Sequence, residues 1–254
     1  MINKFFTVEV SPVVAASKQH AGSFGAGNLV ADWTAIQVPR GCNSLRSATL
    51  LVRAKGDADP TVNNHAFGIA FSKTNTVSLG TVGGSIQNRP SNDFLGIIEF
   101  DVPNFSTGTI QSTAVATVGG DSSNACPPLI LQGDVTTGDN VGFDTIYVAI
   151  FSQSADNTFE SINVINDADI NSTTPTAIVM AGTGMDVREH FAVGDVLHAQ
   201  DDVLLGTVAS IDDAATGPIN LTTATSGAGD ATTVANGDTI YNINPIKLVL
   251  GFER

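Results

Sequence analysis

Apolar and polar residues alternate with a period of two along most of the chain, and helical periodicity is nearly absent. In 48–54 (ATLLVRA) the even positions are apolar, while Thr49 and Arg53 point to the other side. In Phe67-Gly68-Ile69-Ala70-Phe71 large residues alternate with small ones, and in 94–100 Phe94, Ile98 and Phe100 share a face. Residues 144–151 (DTIYVAIF) become apolar on both faces after the first positions, the mark of a strand central in its sheet. Phe5 to Val10, Trp33 to Val38, Leu129 to Leu131 and Phe159 to Ile165 add further candidate strands. Turn-rich stretches separate these runs, among them 55–60, Gly83-Gly84, 88–93 and 119–124. Two short helices are predicted, at Pro12 to Gln19 and Met185 to Phe191, with Asp186 near the start of the second.

The pattern predicts an all-β fold: a β-sandwich, jelly-roll-like, over residues 1–170, followed by a small closed β-barrel over 176–254. The polar stretch 166–175 ends in Pro175 and marks the boundary. Residues 1–10 are a candidate extended arm that adds a strand to a neighbour's sheet. Beyond the boundary two segments resemble each other, 192–198 (AVGDVLH) and 235–241 (ANGDTIY). Each sets Gly-Asp directly before a strand, where Gly supplies a permissive backbone angle and Asp bonds nearby amides. The last run, 246–253, places Ile246, Leu248, Leu250 and Phe252 on one face and is assigned to the barrel.

Charge changes this picture in one respect. The formal net charge is −14, which disfavours nucleic acid as a partner because phosphates are repelled. Residues 1–89 nevertheless hold eight Lys/Arg and four Asp/Glu, against three and 21 in residues 90–254. Lys4, Lys18, Arg40, Arg46, Arg53 and Lys55 are therefore the candidate partner-binding residues, a basic pole facing an acidic partner. No stretch reaches the length of an apolar membrane span, and the apolar start is interrupted by Glu9. The chain is expected to be made in a cytoplasm and to have no membrane partner.

Candidate chemistry is sparse. His20, His65, His190 and His198 form no metal-ligand spacing, and no phosphate-binding loop or nucleophile elbow is present. Asp167-Ala168-Asp169-Ile170-Asn171 opens like a calcium loop, but Ser172 and Ile178 stand where Gly and Glu are required. Asp57, Asp59, Asp201, Asp202, Asp212 and Asp213 read as turn acids. Cys42 and Cys126 are far apart in sequence and read as free thiols, with a disulfide left open. Trp33 is the sole Trp and Tyr147 and Tyr241 the sole Tyr, which weighs against a carbohydrate site. No catalytic, metal or cofactor residues are assigned, and no enzyme activity is expected.

The C-terminal part resembles virion structural proteins of tailed bacteriophages. The residues that carry the resemblance are 191–195 (FAVGD), 205–211 (LGTVASI) and 245–254 (PIKLVLGFER). A sandwich followed by a small barrel is similar to head decoration, or cement, proteins. The resemblance implies a capsid-surface protein, often a homotrimer, that binds the major capsid protein where capsomers meet and stiffens the shell. A receptor- or glycan-binding head-fibre or tail module, or another neck or tail structural protein, is the alternative.

Overall fold

The computed structural model describes residues 5–40, 43–53, 65–87, 93–102, 105, 113–119, 129–131, 134–135, 143–159, 169–170, 175–180, 186–212, 217–222 and 234–253. In chain order the first elements are β1 (Phe5–Val10), α1 (Ala16–His20), β2 (Leu29–Pro39), β3 (Asn43–Val52), β4 (Phe67–Ser72) and β5 (Phe94–Phe100). They are followed by β6 (Ala114–Gly119), β7 (Leu129–Leu131), β8 (Asp134–Val135) and β9 (Phe143–Ser152). The remainder are β10 (Ala177–Ile178), α2 (Val187–His190), β11 (Val196–Ala199), β12 (Leu204–Ile211), β13 (Ile219–Thr222), β14 (Ile240–Asn242) and β15 (Ile246–Glu253). The fold is predominantly β, as the alternation predicts, and is built from antiparallel sheets. The candidate strand at 159–165 lies outside the described residues, apart from the buried Phe159.

The first sheet runs β1-β15-β3-β6, with β7 also on β3. The second runs β2-β9-β4-β5, with β8 on β9. The inward side chains of both sheets enter one core. Leu45, Ala48, Leu50, Leu248, Leu250 and Phe252 come from the first, and Ile36, Phe67, Ile69, Phe71, Ile98, Ile146 and Ile150 from the second. The central place of β9, between β2 and β4, follows its two-sided apolar pattern. Its outward Ala149 is also fully buried, because residues 79–86 fold over that face and pack Leu79, Val82 and Ile86 against Leu29, Ala149 and Trp33.

β3 hides an irregularity in its alternation. A bulge opposite Gly251/Phe252 lets Ser47 pair with Gly251 and Leu45 with Phe252. Buried positions therefore switch from Asn43 and Leu45 to Ala48, Leu50 and Val52. The slip puts Arg46, of even number, and Thr49, Leu51 and Arg53, of odd number, all on the outward side.

The third sheet runs β10-β13-β12-β11-β14, over its own core of Ile178, Met180, Val187, Phe191, Leu197, Leu205, Val208, Ile219, Val234 and Ile240. It is open among the described residues, so the expected closed barrel is not formed. The physical reason lies in β15. The strand counted toward that barrel pairs instead with β1 on one side and β3 on the other, and the ends of the third sheet are strands of two and three residues. The expected boundary shifts accordingly: Ile170 bridges Val234 and packs on the third-sheet core, while 246–253 belongs to the first sheet. The expected arm also differs, since Phe5–Val10 pairs residue by residue with β15 of its own chain. Residues 1–4 lie outside the described residues.

The two Gly-Asp repeats form the same turn. Asp195 N–H donates to Ala192 O and Ala192 N–H to Asp195 Oδ2, at 3.0 and 2.8 Å. Asp238 N–H donates to Ala235 O and Ala235 N–H to Asp238 Oδ2, at 3.1 and 2.9 Å. Gly194 and Gly237 sit at φ 95° and 93°, the left-handed region that such a turn requires. The strands they launch, β11 and β14, pair with each other.

Candidate functional site

The outward face of the first sheet is the candidate interaction surface. Direct cross-strand partners share a face, so the register lists its rows. One row is Phe5, Glu253, Ser44 and Ile130; a second is Glu9, Val249, Thr49 and Thr117; a third is Lys247, Leu51 and Val115. The middle of this face is small and flat: Thr49 and Thr117 share a hydrogen bond of 3.1 Å, and a side chain at Gly251 would collide with Ser47 Oγ. No described segment packs over it as 79–86 packs over the second sheet.

Its two ends differ. At the Phe5 end two large apolar side chains are open to solvent, Phe5 at 73% and Ile130 at 67%. Arg46 stands there with its Nε on Glu253 Oε2, and the exposed Arg40 follows the end of β2 at the same end of the strands. At the other end the third sheet docks, and the described residues between 186 and 238 hold seven Asp/Glu against a single Arg. The molecule is thus polarised along its strands.

Of the six candidate cations, the four among the described residues do not gather at one place. Lys4 and Lys55 lie outside the described residues. Arg40 and Arg46 share the apolar end. Lys18, on α1, lies against Gly83, which bonds Leu29 at the start of β2. Arg40 follows the far end of that 11-residue strand, roughly 35 Å away. Arg53 is at the third-sheet end, where its Nη2 donates to Asp195 Oδ1 at 3.1 Å. Arg46 and Arg53 are therefore each matched by an acid, and Lys247, which the charge count did not single out, pairs with Glu9.

Beside Arg53 the third sheet and the first enclose a cleft of about 550 Å³. Arg53, Lys247, Asp195, Asn244, Ser11 and Thr113 supply its polar groups, and Leu51, Val115, Val193 and Pro245 its aliphatic walls. Burial pushes the Asp195 carboxyl above the usual carboxylate value, against the opposing pull of Arg53, the Ala192 N–H and the Asn242 side chain. Val193, at the tip of the turn, is 69% exposed on the rim.

A polar seam fixes the third sheet beside this cleft. The buried Gln19 donates from Nε2 to Val14 O and Asn242 O at 2.8 and 2.9 Å. Ser17 N–H donates to Asp202 Oδ1, His20 Nδ1 meets the Tyr241 hydroxyl at 3.0 Å, and Asn244 Nδ2 donates to Ser11 O. The sequence pattern gave no reason to choose Gln19; its only signal is a polar residue on the apolar side of a five-residue helix. α2 starts as predicted, with Asp186 as N-cap accepting from Arg188 N–H. The Arg188 side chain bonded to Asp186 holds that carboxyl below its usual value.

The remaining candidates act locally. His198 Nδ1 donates to Asp202 O at 2.9 Å, and burial lowers its pKa against that bond and the Asp202 charge. His190 is buried in the third-sheet unit, and His65 is partly exposed. Asp169 accepts from Asn236 N–H, Asp201 from Val203 N–H and Asp212 from Asn220 Nδ2. Asp57, Asp59, Asp167, Asn171, Asp213, Cys42 and Cys126 lie outside the described residues. Among the described residues no three His, Cys, Asp or Glu side chains converge as a metal site, and no helix is long and apolar enough to cross a membrane. No protein-family model, curated protein or solved structure matches the chain.

Proposed function

We propose that the two large sheets form a jelly-roll sandwich and that the protein is a structural virion component, packed on the outer surface of a phage capsid where capsomers meet. The observation that carries this reading is the order of strand pairing. Eight strands make up the two sheet paths: β1, β2, β3, β4, β5, β6, β9 and β15. Numbered one to eight in chain order, they pair first with eighth, second with seventh, third with sixth and fourth with fifth. This is a single long hairpin of four strand pairs wrapped into two sheets, the jelly-roll arrangement used in viral capsid domains. The third sheet is then an insertion between the seventh and eighth strands.

The polarity of the molecule supports the docking mode. The flat, small-residue face buries readily against another rigid surface, and its apolar, Arg-bearing end suits an acidic partner such as a shell of major capsid protein. An interface of about 800 Å² per partner holds such a contact. Three copies around a junction would add avidity without further side-chain chemistry. The mechanism is stiffening of the shell by bridging neighbours, with the acidic third sheet facing outward.

Binding of the purified protein to shells assembled from the major capsid protein tests this. Thr117→Arg and Val249→Glu, on the bare face, should cut shell occupancy at least tenfold while leaving the thermal unfolding of the free protein unchanged. Occupancy equal to that of the unsubstituted protein would sink the docking face. Copy number separates the alternative: hundreds per particle fit a shell protein, whereas a few tens or fewer fit a receptor-binding fibre or tail module.

A further inference from the structure

The cleft between the third sheet and the first joins one row of the outward face, Lys247, Leu51 and Val115, to Arg53, Asp195 and Val193, which the shell reading does not use. Arg53 is two-thirds buried, yet its guanidinium spends one N–H on Asp195 and has no other acceptor among the described residues. Its fixed fork can still take a second carboxylate side by side with the first. Lys247 lies on the neighbouring strand of the same face, opposite Leu51 and so diagonal to Arg53; its ammonium is shared with the exposed Glu9 and has further N–H groups to give. Asp195 is the one acid lining the cleft; it is only 11% exposed, and with Arg53 on Oδ1 and the Ala192 N–H on Oδ2 each oxygen keeps one further lone pair. Leu51, Val115 and the exposed Val193 form an aliphatic wall with no aromatic ring among the lining residues.

We propose that this cleft seats the free carboxyl end of an extended peptide chain from another molecule. The terminal carboxylate meets Arg53 and Lys247, the last side chain, a small aliphatic one, lies on Leu51, Val115 and Val193, and a peptide N–H donates to Asp195. Asn244 Nδ2 is held by Ser11 O and Pro12 O, which leaves Oδ1 as the acceptor for the next peptide N–H. A sugar acid would satisfy the two cations equally, but the aliphatic wall gives a sugar ring no aromatic platform, so the lining favours a peptide. The volume of about 550 Å³ lies within the range of small-ligand sites and suits two or three residues. This inference stands on the cleft alone and does not need the capsid reading.

Titration of the full chain with the peptide N-acetyl-Ala-Ala-Val, followed by NMR of the Arg53 side-chain N–H and the Val193 amide, tests it. The free acid should give saturable shifts at both groups and bind at least tenfold more tightly than the same peptide as its C-terminal amide. Arg53→Gln should abolish the difference. Because that change also strips a partner from Asp195, a second variant at the rim, Val193→Glu, is paired with it. Val193→Glu should weaken the acid peptide at least tenfold without altering the unfolding transition. Equal binding of acid and amide, no saturation by the acid, an unchanged affinity in Val193→Glu, or tighter binding of glucuronate than of the peptide would each overturn the proposal. None of these outcomes bears on shell occupancy, so the two readings fail separately.

Discussion

The outer faces of the two large sheets solve the same problem in opposite ways. On the second sheet the chain supplies its own cover: residues 79–86 lie over β9, and Ala149 and Leu79 are as dry as the main core. Backbone bonds between Leu29 and the Gly83-Gly84 pair tie that cover down, and Trp33 Nε1 donates to Val77 O at 3.0 Å. On the first sheet no described segment does this. Its outward positions mix threonines, a serine and a glycine with the aliphatic Leu51, Val115 and Val249, leave Phe5 and Ile130 open at one end, and carry ion pairs toward both ends. The difference teaches that outward polarity does not tell an open face from a covered one. What tells them apart is whether large apolar side chains in a neighbouring loop have somewhere to go.

Substitutions on the covered and the open face should differ in their effect on stability. Leu79→Ala, in the cover, should cost about 2–4 kcal/mol through lost burial and a residual cavity, read from the urea midpoint. Because Trp33 is the only tryptophan and sits in that cluster, its fluorescence should follow the loss. A loss below 1 kcal/mol would mean that the cover is not part of the fold's stability. Gln19→Ala, at the seam, should cost about 1–3 kcal/mol by leaving two buried carbonyls without a donor.

A pH dependence should belong to the third sheet and to neither face. His198 titrates below its usual 6.5 in the folded protein, chiefly because it is buried. As pH falls, the unfolded chain takes up that proton first. Stability is therefore fully present above pH 6.5 and is lost from there down to the lower folded value. Urea midpoints at pH 7.5 and 5.5 should show a fall that His198→Gln reduces; an identical slope in the variant would remove His198 from the account. The smallest effect is expected on the bare face. Thr49→Val and Arg46→Ala should each change stability by no more than about 0.5 kcal/mol, since exposed hydrogen bonds and ion pairs contribute little.

Local structure was legible in the sequence wherever a residue's own neighbours decide it. The Gly-Asp turns at 192–195 and 235–238, the N-cap at Asp186 and the central placement of β9 are of this kind. Non-local choices were not. Nothing in the alternation of Ile246 to Glu253 says whether its apolar side faces the third-sheet core or joins Leu50 and Leu45. The two adjacent polar residues Arg46-Ser47 break the alternation in the sequence, but only the pairing with β15 shows that the break is a bulge within one strand. For the candidate surface, the charge count identified Arg40, Arg46 and Arg53 but not the acids that meet them. Glu253 and Asp195 are 207 and 142 positions away in the chain. Gln19 and the cleft beside Arg53 depend on how the third sheet docks, which composition does not encode.

The place of β15 also bears on biosynthesis. β1 and β3 are not neighbours; the slot between them is filled by residues 246–253 alone. While the ribosome is still making the chain, the first sheet has a gap down its middle that exposes two strand edges and part of the apolar interior. Its assembly therefore waits for residues 246–253, about a hundred positions after the last strand of the second sheet has been made. Contacts so distant in sequence form slowly. A nascent chain stalled before residue 246 should consequently be captured by chaperones that bind open strand edges, and emergence of residues 246–253 should end that capture.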